Sequence, residues 1–288
     1  MVKIFEGVAT AIVTPFNNGM VDFDALSGLI EHQISSNIPA LVVLGTTGES
    51  ATLSACEQEQ IITFAKEKIR GRTKLIVGTG TNYTKTTIVR SLHAKQLGAD
   101  AIMVVTPYYN KCTQQGATKH FNKIANTTRL PMIIYNVPGR TGFNLTPNTV
   151  LELAKNPYIV GIKEASGNID QMMQLCKLLD GKLAIYCGDD VLDFLCYALG
   201  SDGSISVTAN VFPDKKVELY NLVKAGKLDQ ARKAHNDMLD INTALFIEPN
   251  PIPVKAALCH LGFCRDEVRP PLTKIEPRNK KKLLGVLK

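Results

Sequence analysis

A lysine within an apolar segment is the residue of this chain that most clearly suggests chemistry. Lys163 lies in the run Val-Gly-Ile-Lys-Glu-Ala, residues 160–165, which has the character of a buried strand. A buried ammonium is unfavourable unless it is paired or loses its proton, and a neutral lysine amine attacks ketones to form a Schiff base. An ion pair with Glu164 is the alternative, but neighbouring residues on a strand point to opposite faces. The position of Lys163 therefore favours a nucleophilic lysine.

Three hydroxyl groups are candidates for moving protons around such a lysine. Tyr135 lies near the end of another apolar run and is expected to point to the same place as Lys163. A tyrosine alone is a poor base at neutral pH, so it needs partners such as Tyr109 and the Thr46 hydroxyl. A buried tyrosine taken by itself is more often a core residue with a satisfied hydroxyl. The relay is thus a hypothesis that depends on these side chains meeting.

Two loops offer groups that bind carboxylates. The loop Gly-Thr-Thr-Gly at residues 45–48 presents backbone N–H groups and hydroxyls, and its glycines permit close approach of an anion. Arg140 lies in the loop Pro-Gly-Arg-Thr-Gly, where a guanidinium is suited to bidentate capture of a carboxylate. Each signal is weak by itself, since a lone arginine in a loop is usually a solvated charge.

Eight short runs rich in valine, isoleucine and leucine must position these residues. They start near residues 8, 40, 74, 101, 131, 158, 183 and 203, and segments with helical spacing lie between most of them. Continuous apolar strands separated by helices predict a parallel sheet buried on both faces. Helix-start signals support the alternation: Ser54 and Glu57 fit a capping box, and Thr146-Pro147 fits a capped start.

The number of strand–helix units indicates which α/β architecture the chain adopts. Eight strand–helix units match a closed α/β barrel, the (β/α)8 TIM barrel, better than an open doubly wound sheet. We predict that residues 1–224 form the barrel and that 225–288 form a C-terminal helical extension packed on it. Within the extension, Asp229 to Phe246 and Val254 to Leu261 carry apolar stripes. A barrel of this kind has its active site at the carboxyl ends of its strands, where the polar residues above fall.

Composition excludes several classes of protein. The 288 residues are 45% hydrophobic and 20% charged, so fibrous, disordered and mini-protein classes do not apply. No apolar run approaches the roughly 18 residues of a membrane span, and the N-terminus lacks the apolar segment of a secretory signal. Seven cysteines form an odd set without a CxxC pair, which is typical of reduced thiols. We therefore expect a soluble cytoplasmic protein without a membrane partner.

The net charge of +7 is concentrated at the C-terminus. Residues 274–288 carry six Lys or Arg against Glu276, which accounts for +5. This basic run precedes Leu283 and Leu284, and no aromatic interleaving or recognised nucleic-acid motif accompanies it. We predict a terminal helix with its charged face in water and no nucleic-acid partner.

Signatures of metal and nucleotide sites are poor. Cys259, His260 and Cys264 lack a second pair to complete a zinc site. The segment Gly-Thr-Gly at residues 78–80 lacks the third glycine of a dinucleotide fingerprint, and the sequence contains no GxxxxGK[ST], HExxH or GxSxG. We therefore expect neither a metal nor a cofactor, with the reaction carried by lysine.

Five motifs together resemble the dihydrodipicolinate synthase family, which belongs to the pyruvate-dependent class I aldolases. They are GTTGES (residues 45–50), TPYYNK (106–111), YNVPGRTG (135–142), GIKEASG (161–167) and SISVTAN (204–210). The likeness extends from Val13 to Pro253 and so covers nearly the whole chain. It implies condensation of pyruvate with L-aspartate 4-semialdehyde, followed by cyclisation to 4-hydroxy-tetrahydrodipicolinate in diaminopimelate and lysine biosynthesis.

The resemblance also implies roles for individual residues. The implied catalytic residues are Lys163 for the Schiff base with pyruvate, Tyr135 as proton donor and acceptor, and Thr46 and Tyr109 to complete the relay. The implied substrate-binding residues are Thr47 and the carbonyl of Ile205 for pyruvate, and Arg140 for the semialdehyde carboxylate. The family usually assembles as a homotetramer of tight dimers, with the equivalent of Tyr109 supplied across the dimer interface.

Two alternatives remain open. N-acetylneuraminate lyases and sugar-acid aldolases of the same superfamily share the barrel, the lysine and the tyrosine, but they usually lack the equivalent of Arg140 because their second substrate is a sugar. A barrel that serves as a binding or regulatory protein is the other alternative, although all the implied catalytic residues are present. Arg140 favours the synthase.

One departure concerns feedback by lysine. Lysine-inhibited members of the family commonly carry two histidines and an acidic residue where this chain has Ala55, Gln58 and Thr86. The neighbouring residues still match the family, and these are Ser50, Ala51, Asn82 and Tyr108. Losing the acid and both imidazoles removes attraction for a cationic effector, so we predict weak or absent feedback by lysine.

Overall fold

Eight parallel strands close into a barrel in a computed structural model that describes residues 3–287. The strands of the described residues are β1 (Gly7–Ala11), β2 (Phe16–Asn17), β3 (Met20–Val21), β4 (Ala40–Val43), β5 (Lys74–Gly78), β6 (Ala101–Val105), β7 (Met132–Asn136), β8 (Ile159–Glu164), β9 (Ala184–Cys187) and β10 (Gly203–Ser206). All except β2 and β3 belong to the barrel, and β1 pairs with both β4 and β10 to close it. The predicted TIM barrel is confirmed. The antiparallel hairpin of β2 and β3 was not predicted.

Helices follow most of the barrel strands. They are α1 (Phe23–Ser35), α2 (Ala55–Ile69), α3 (Thr84–Gln96), α4 (Gln114–Thr128), α5 (Pro138–Thr141), α6 (Pro147–Leu153), α7 (Ile169–Leu179), α8 (Asp193–Ala198), α9 (Pro213–Lys224), α10 (Leu228–Ala244), α11 (Ile252–His260) and α12 (Pro277–Val286). The predicted helices near 229–246 and 254–261 are α10 and α11, and the basic terminal run is α12. None of the helices within residues 3–287 is both long and apolar enough to cross a membrane.

Two apolar cores lie on the two faces of the barrel sheet. The larger core lies between the strands and the surrounding helices, and the smaller core fills the barrel interior. Ala9, Ile76 and Ile133 are among the interior residues, and each is at most 1% exposed. Strands covered on both faces need continuous apolar sequence, which is why the eight runs were recognisable. The interior core ends where polar residues begin, at the carboxyl ends of the strands.

The two helix-start signals had different outcomes. At α2, the Ser54 side chain accepts a hydrogen bond from Glu57 N while the Glu57 carboxylate accepts one from Ser54 N, which confirms the predicted capping box. At α6, Thr146 is the N-cap and Pro147 the first helical residue, as predicted. The Thr146 hydroxyl, however, does not cap the backbone and lies 2.9 Å from Thr149 Oγ1. A hydroxyl with a nearby side-chain partner has less need of a backbone donor.

Two ion pairs, one buried and one partly buried, connect the C-terminal segment to the mouth of the barrel. Lys255 on α11 is fully buried, and its Nζ lies 2.5 Å from Glu49 Oε1 in the loop after β4. Arg269 pairs with Glu57 on α2, and its backbone N–H donates to Glu49 Oε2. A buried carboxylate requires this kind of compensation. The segment after α9 therefore forms part of the wall around the strand ends.

Candidate active site

A cavity of about 400 Å³ opens at the carboxyl ends of the barrel strands. Side chains from the strands, from the loops after them and from α10 line it. The polar residues of the lining are Thr46, Thr47, Tyr135, Arg140, Lys163, Asp189, Asn242, Thr243 and Asn250. Five of the seven predicted site residues therefore meet at one cavity. This convergence follows from the parallel barrel, because all its strands end at the same face.

Lys163 lies on β8 at the bottom of the cavity and is 5% exposed. Its Nζ lies 4.6 Å from the centre of the Tyr135 ring. Glu164 points to the other face, where its Oε2 accepts hydrogen bonds from Asn136 Nδ2 and Gln171 Nε2, both at 2.9 Å. Among residues 3–287, no carboxylate lies within 4.0 Å of the Lys163 amine. The Lys163–Glu164 ion pair is therefore not formed, and the amine faces the cavity without a charged partner.

A glycine makes room for the Lys163 side chain. A Cβ atom on Gly188 would lie 2.9 Å from Lys163 Cε and 2.7 Å from Ala165 Cβ, both closer than packed carbon atoms approach. Gly188 follows β9, the strand next to β8. The absence of a side chain at Gly188 therefore leaves the space that the Lys163 side chain occupies beside β9. Sequence reasoning did not identify this role, which requires knowing that β8 and β9 are neighbours.

The hydroxyl groups of Tyr135 and Thr46 border the same cavity. Tyr135 is 7% exposed, and the Thr46 side chain is half-buried. Within the described part of the chain, neither hydroxyl forms a hydrogen bond to another protein group. A buried tyrosine in a core normally has a satisfied hydroxyl. Both hydroxyls are thus available to a molecule in the cavity.

Backbone hydrogen bonds fix the loop that carries the two threonines. Gly48 N donates to Gly45 O at 3.1 Å, and Glu49 N donates to Thr46 O at 3.1 Å. Glu49 adopts a left-handed conformation with φ of 52°, which bulky residues rarely take. Its carboxylate is held by Lys255 and by the backbone N–H of Arg269. These contacts compensate the local strain and hold the loop in one shape.

Asn250 joins Thr47 to Arg140, and sequence reasoning assigned it no role. Its Nδ2 donates to Thr47 Oγ1 at 3.0 Å, while Arg140 Nη2 donates to Asn250 O at 3.3 Å. Asn250 is buried, whereas Arg140 is exposed on the short helix α5. This hydrogen bond holds the Arg140 guanidinium at the cavity, and most of its N–H groups remain available to a ligand. The sequence feature that could have indicated this role is the segment Asn-Pro-Ile-Pro, residues 250–253, which ends the region that resembles the family.

Two predicted site residues do not reach the cavity of the single chain. Tyr109 is 92% exposed with φ of 68°, and it is absent from the cavity lining within residues 3–287. Ile205 is 1% exposed and belongs to the interior core, and it likewise does not line the cavity in this part of the chain. Val207, two residues further on, does line it. The single chain therefore supplies neither a Tyr109 hydroxyl nor an Ile205 side chain to the cavity.

The cavity wall also contains groups that were not predicted. Burial raises the pKa of the Asp189 carboxyl, which follows Gly188 in the loop after β9. Asn242, Thr243 and Phe246 come from α10 and its C-terminal end. No group of three or more His, Cys, Asp or Glu side chains arranged to hold a metal ion occurs within residues 3–287. The cavity therefore combines an uncompensated amine, free hydroxyls, a guanidinium and a partly buried carboxyl.

Comparison with known proteins identifies the family. The sequence profile of the Dihydrodipicolinate synthetase family matches residues 4–288. This chain is a member of the Dihydrodipicolinate synthetase family. It is 46% identical over 285 residues to the 4-hydroxy-tetrahydrodipicolinate synthase of Geobacter metallireducens, which covers 99% of this chain and 98% of the relative.

Solved structures of Dihydrodipicolinate synthetase family proteins have the same fold. The dihydrodipicolinate synthase of Thermotoga maritima is 42% identical, with a TM-score of 0.98 over 99% of this chain and 98% of that one. The chloride-inhibited dihydrodipicolinate synthase of Acinetobacter baumannii, complexed with pyruvate, is also 42% identical, with a TM-score of 0.97 over the same shares. The resemblance inferred from the five motifs is therefore confirmed.

Proposed function

We propose that this protein is a 4-hydroxy-tetrahydrodipicolinate synthase that condenses pyruvate with L-aspartate 4-semialdehyde. The central observation is the buried Lys163 amine, which faces the cavity without a carboxylate partner within the described residues. Such an amine is the group that a Schiff-base reaction requires. The relatives of the same name, which match over nearly their whole length, support the proposal.

The first half of the reaction uses the amine and a nearby hydroxyl. Lys163 Nζ attacks the ketone carbon of pyruvate, and loss of water leaves an iminium. The iminium withdraws electrons from the methyl carbon, which then loses a proton to give an enamine. Tyr135, whose ring lies beside Nζ, donates and accepts these protons, with Thr46 as its neighbour at the cavity wall. The iminium supplies the electron sink, so this step requires no cofactor.

The second half forms a carbon–carbon bond and then a ring. The enamine carbon attacks the aldehyde carbon of the semialdehyde, and the resulting alkoxide takes a proton. The amino group of the semialdehyde then attacks the iminium carbon, which closes the ring and releases Lys163. Arg140 holds the semialdehyde carboxylate with the donors that remain free beside its bond to Asn250. Thr47, whose Oγ1 accepts from Asn250 Nδ2, donates its hydroxyl proton to the pyruvate carboxylate, and the backbone carbonyl of Ile205 contacts the pyruvate moiety of the intermediate.

The proposed relay also depends on how copies of the chain assemble. Tyr109 is the third member of the relay and comes from a second copy of the chain, because in a single chain its ring projects into solvent. We place it in a homotetramer built as a dimer of dimers. The seven free cysteines within the described residues suit a reducing compartment, which supports a cytoplasmic location. The partners are then two small substrates and other copies of this chain.

A competition between second substrates tests the assignment. The protein is incubated with pyruvate and either L-aspartate 4-semialdehyde or N-acetylmannosamine, and consumption of each is followed. The synthase consumes the semialdehyde and leaves the sugar. Consumption of the sugar alone would instead indicate a neuraminate lyase, and consumption of neither would favour a binding or regulatory protein. The Arg140→Ala variant should raise KM for the semialdehyde with little change in KM for pyruvate.

A further inference from the structure

A fully buried lysine lies behind the cavity wall and has no part in the mechanism above. Lys216 on α9 is 0% exposed, and its Nζ lies 2.7 Å from Asp190 Oδ1 and 2.5 Å from Asp193 Oδ2. Both carboxylates are also buried. Burying a lysine and two carboxylates is unfavourable compared with an apolar packing of similar volume. A triad of this kind is therefore expected to do something other than stabilise the fold.

Asp190 connects the triad to the end of β10. Its Oδ2 accepts hydrogen bonds from Val207 N at 2.9 Å and from Thr208 N at 3.0 Å, and its Oδ1 accepts one from the Ser206 hydroxyl. Val207 lines the cavity that holds Lys163. One carboxylate thus fixes three consecutive residues, of which Val207 belongs to the cavity wall. Three donors and the Lys216 amine converge on this carboxyl, an arrangement that suits the ionised form, which only accepts hydrogen bonds.

A second connection leads from Asp190 to α10. The carbonyl of Asp190 accepts a hydrogen bond from Asn242 Nδ2 at 3.1 Å, and Asn242 Oδ1 accepts one from the Thr208 hydroxyl at 2.8 Å. Asn242 also lines the cavity. Asp189 and Val191, on either side of Asp190, line it as well. The part of the wall formed by Asp189, Val191, Val207 and Asn242 is therefore tied together through the buried Asp190.

Lys216 keeps the Asp190 carboxylate ionised. Burial alone would raise the pKa of Asp190, but the Lys216 charge and the hydrogen-bond donors hold it below its usual value. Burial would likewise lower the pKa of Lys216, and the two carboxylates outweigh this effect and raise it. Without the lysine cation, Asp190 and Asp193 would be like charges in a buried site, and a proton would have to be taken up.

We infer that Lys216 is a positioning residue for the Lys163 site, because it pairs with Asp190, whose carboxylate fixes residues 206–208 and with them Val207 in the lining of the cavity. The inference deepens the proposed function and rests on it. Lys216 touches neither substrate, so its effect reaches the reaction only through Asp190. Loss of the lysine should weaken pyruvate binding more than it slows turnover of bound substrate.

The test is a double-mutant cycle measured without the second substrate. The extent of borohydride-trapped pyruvate on Lys163 is recorded against pyruvate concentration for the wild type, Lys216→Met, Asp190→Asn and the double variant. Lys216→Met should raise the half-saturating pyruvate concentration on the order of tenfold, since small displacements in a binding site have effects of at least this size. Because both residues act through one carboxylate, the double variant should resemble Asp190→Asn alone.

A matched control separates positioning from general destabilisation. Leu219→Ala removes a buried core side chain from the same helix and leaves all three charged groups of the triad in place, so it should lower Tm while leaving pyruvate half-saturation unchanged. If Lys216→Met does not fold, the double variant takes its place, because it leaves Asp193 as the one carboxyl of the triad. Its half-saturating pyruvate concentration is then compared with that of Asp190→Asn.

The outcomes distinguish the inference from the proposed function. The positioning role of Lys216 would be overturned if the half-saturating pyruvate concentration of Lys216→Met lay within twofold of the wild-type value. It would also be overturned if the change in the double variant equalled the product of the two single changes. A wild-type protein that traps no pyruvate on Lys163 would instead overturn the proposed function itself.

Discussion

Lys163 and Tyr135 are register partners on adjacent strands, and the Lys163 amine lies 4.6 Å from the centre of the Tyr135 ring. The other register partner of Lys163 is Tyr186 on β9. Its hydroxyl donates to Phe5 O at 2.8 Å and its ring stacks on Phe5 in the barrel interior. The lysine therefore lies between two tyrosines, of which one has a free hydroxyl at the cavity and the other a satisfied hydroxyl in the core.

This pair of tyrosines allows a matched comparison. Tyr135→Phe keeps the ring and removes the hydroxyl, so turnover should fall about 100-fold or more while Tm stays close to wild type. Tyr186→Phe should lower stability by about 1 kcal/mol through loss of its hydrogen bond, with turnover nearly unchanged. Steady-state rates and thermal unfolding of both variants measure the two effects. Equal turnover in the two variants would remove Tyr135 from proton transfer.

The exposure of Tyr109 predicts complementation between two impaired variants. Tyr109→Phe should lower turnover without unfolding the protein, because a side chain that is 92% exposed in the single chain contributes little to its core. When Tyr109→Phe and Lys163→Ala chains are coexpressed with different tags, each mixed dimer gains one complete site. Turnover should therefore be higher in the doubly purified species than in either homomer. A Tyr109→Phe homomer with wild-type turnover would exclude Tyr109 from the relay.

Lysine should be a weak or ineffective inhibitor. Gln58 stands where inhibited members of the family commonly carry a histidine, and its Nε2 donates to Ser50 O and Leu53 O, both at 3.1 Å. The Glu49 carboxylate next to Ser50 is already paired with Lys255. A cationic effector thus finds little uncompensated negative charge here. Turnover at saturating substrates should be unchanged by millimolar lysine, and half-inhibition at sub-millimolar lysine would contradict this prediction.

Stability toward acid should depend on His120. Its Nδ1 lies 2.9 Å from Thr84 Oγ1, and burial lowers its pKa from the ordinary 6.5 to about 4. Between these values the unfolded chain binds a proton that the folded chain does not. The contribution of neutral His120 is therefore complete above about pH 6.5 and is lost as the pH falls toward 4, on the order of 3 kcal/mol in total.

Urea unfolding at pH 7 and pH 4.5 measures this loss. The His120→Gln variant cannot titrate at this position, so its free energy of unfolding should fall less than that of the wild type over the same interval. Burial raises the pKa of Asp193 to about 6, and this carboxyl acts in the opposite direction. The difference between wild type and variant isolates His120, and identical pH dependence in the two proteins would show that its protonation does not affect folding.

The sequence alone predicted those features of the site that depend on the alternation of side chains along a strand or on the topology of a parallel barrel. The period of two along a strand placed Lys163 and Glu164 on opposite faces, and the structure confirms this arrangement. The rule that parallel strands end at one face brought Lys163, Tyr135 and Arg140 to one cavity. These inferences depend on residues near one another in sequence, or on the strand order alone.

The contributions of distant segments could not be predicted in this way. Asn250 and Asn242 reach the cavity because of how the C-terminal helices pack, and no local pattern encodes that placement. Lys216 follows Asp214 and Lys215 at the start of α9 and so resembles a solvated charge in sequence. Its complete burial results from two acidic residues contributed by the segment around α8. Buried polar networks between separate elements are specified by tertiary packing.

Mass spectrometry of the borohydride-reduced protein after incubation with pyruvate shows directly whether Lys163 is the lysine that forms the Schiff base. The account predicts one added carboxyethyl group per chain, located by peptide mapping on Lys163 and absent from Lys163→Ala. No adduct on the wild type, or an adduct on another lysine such as Lys111, would contradict it.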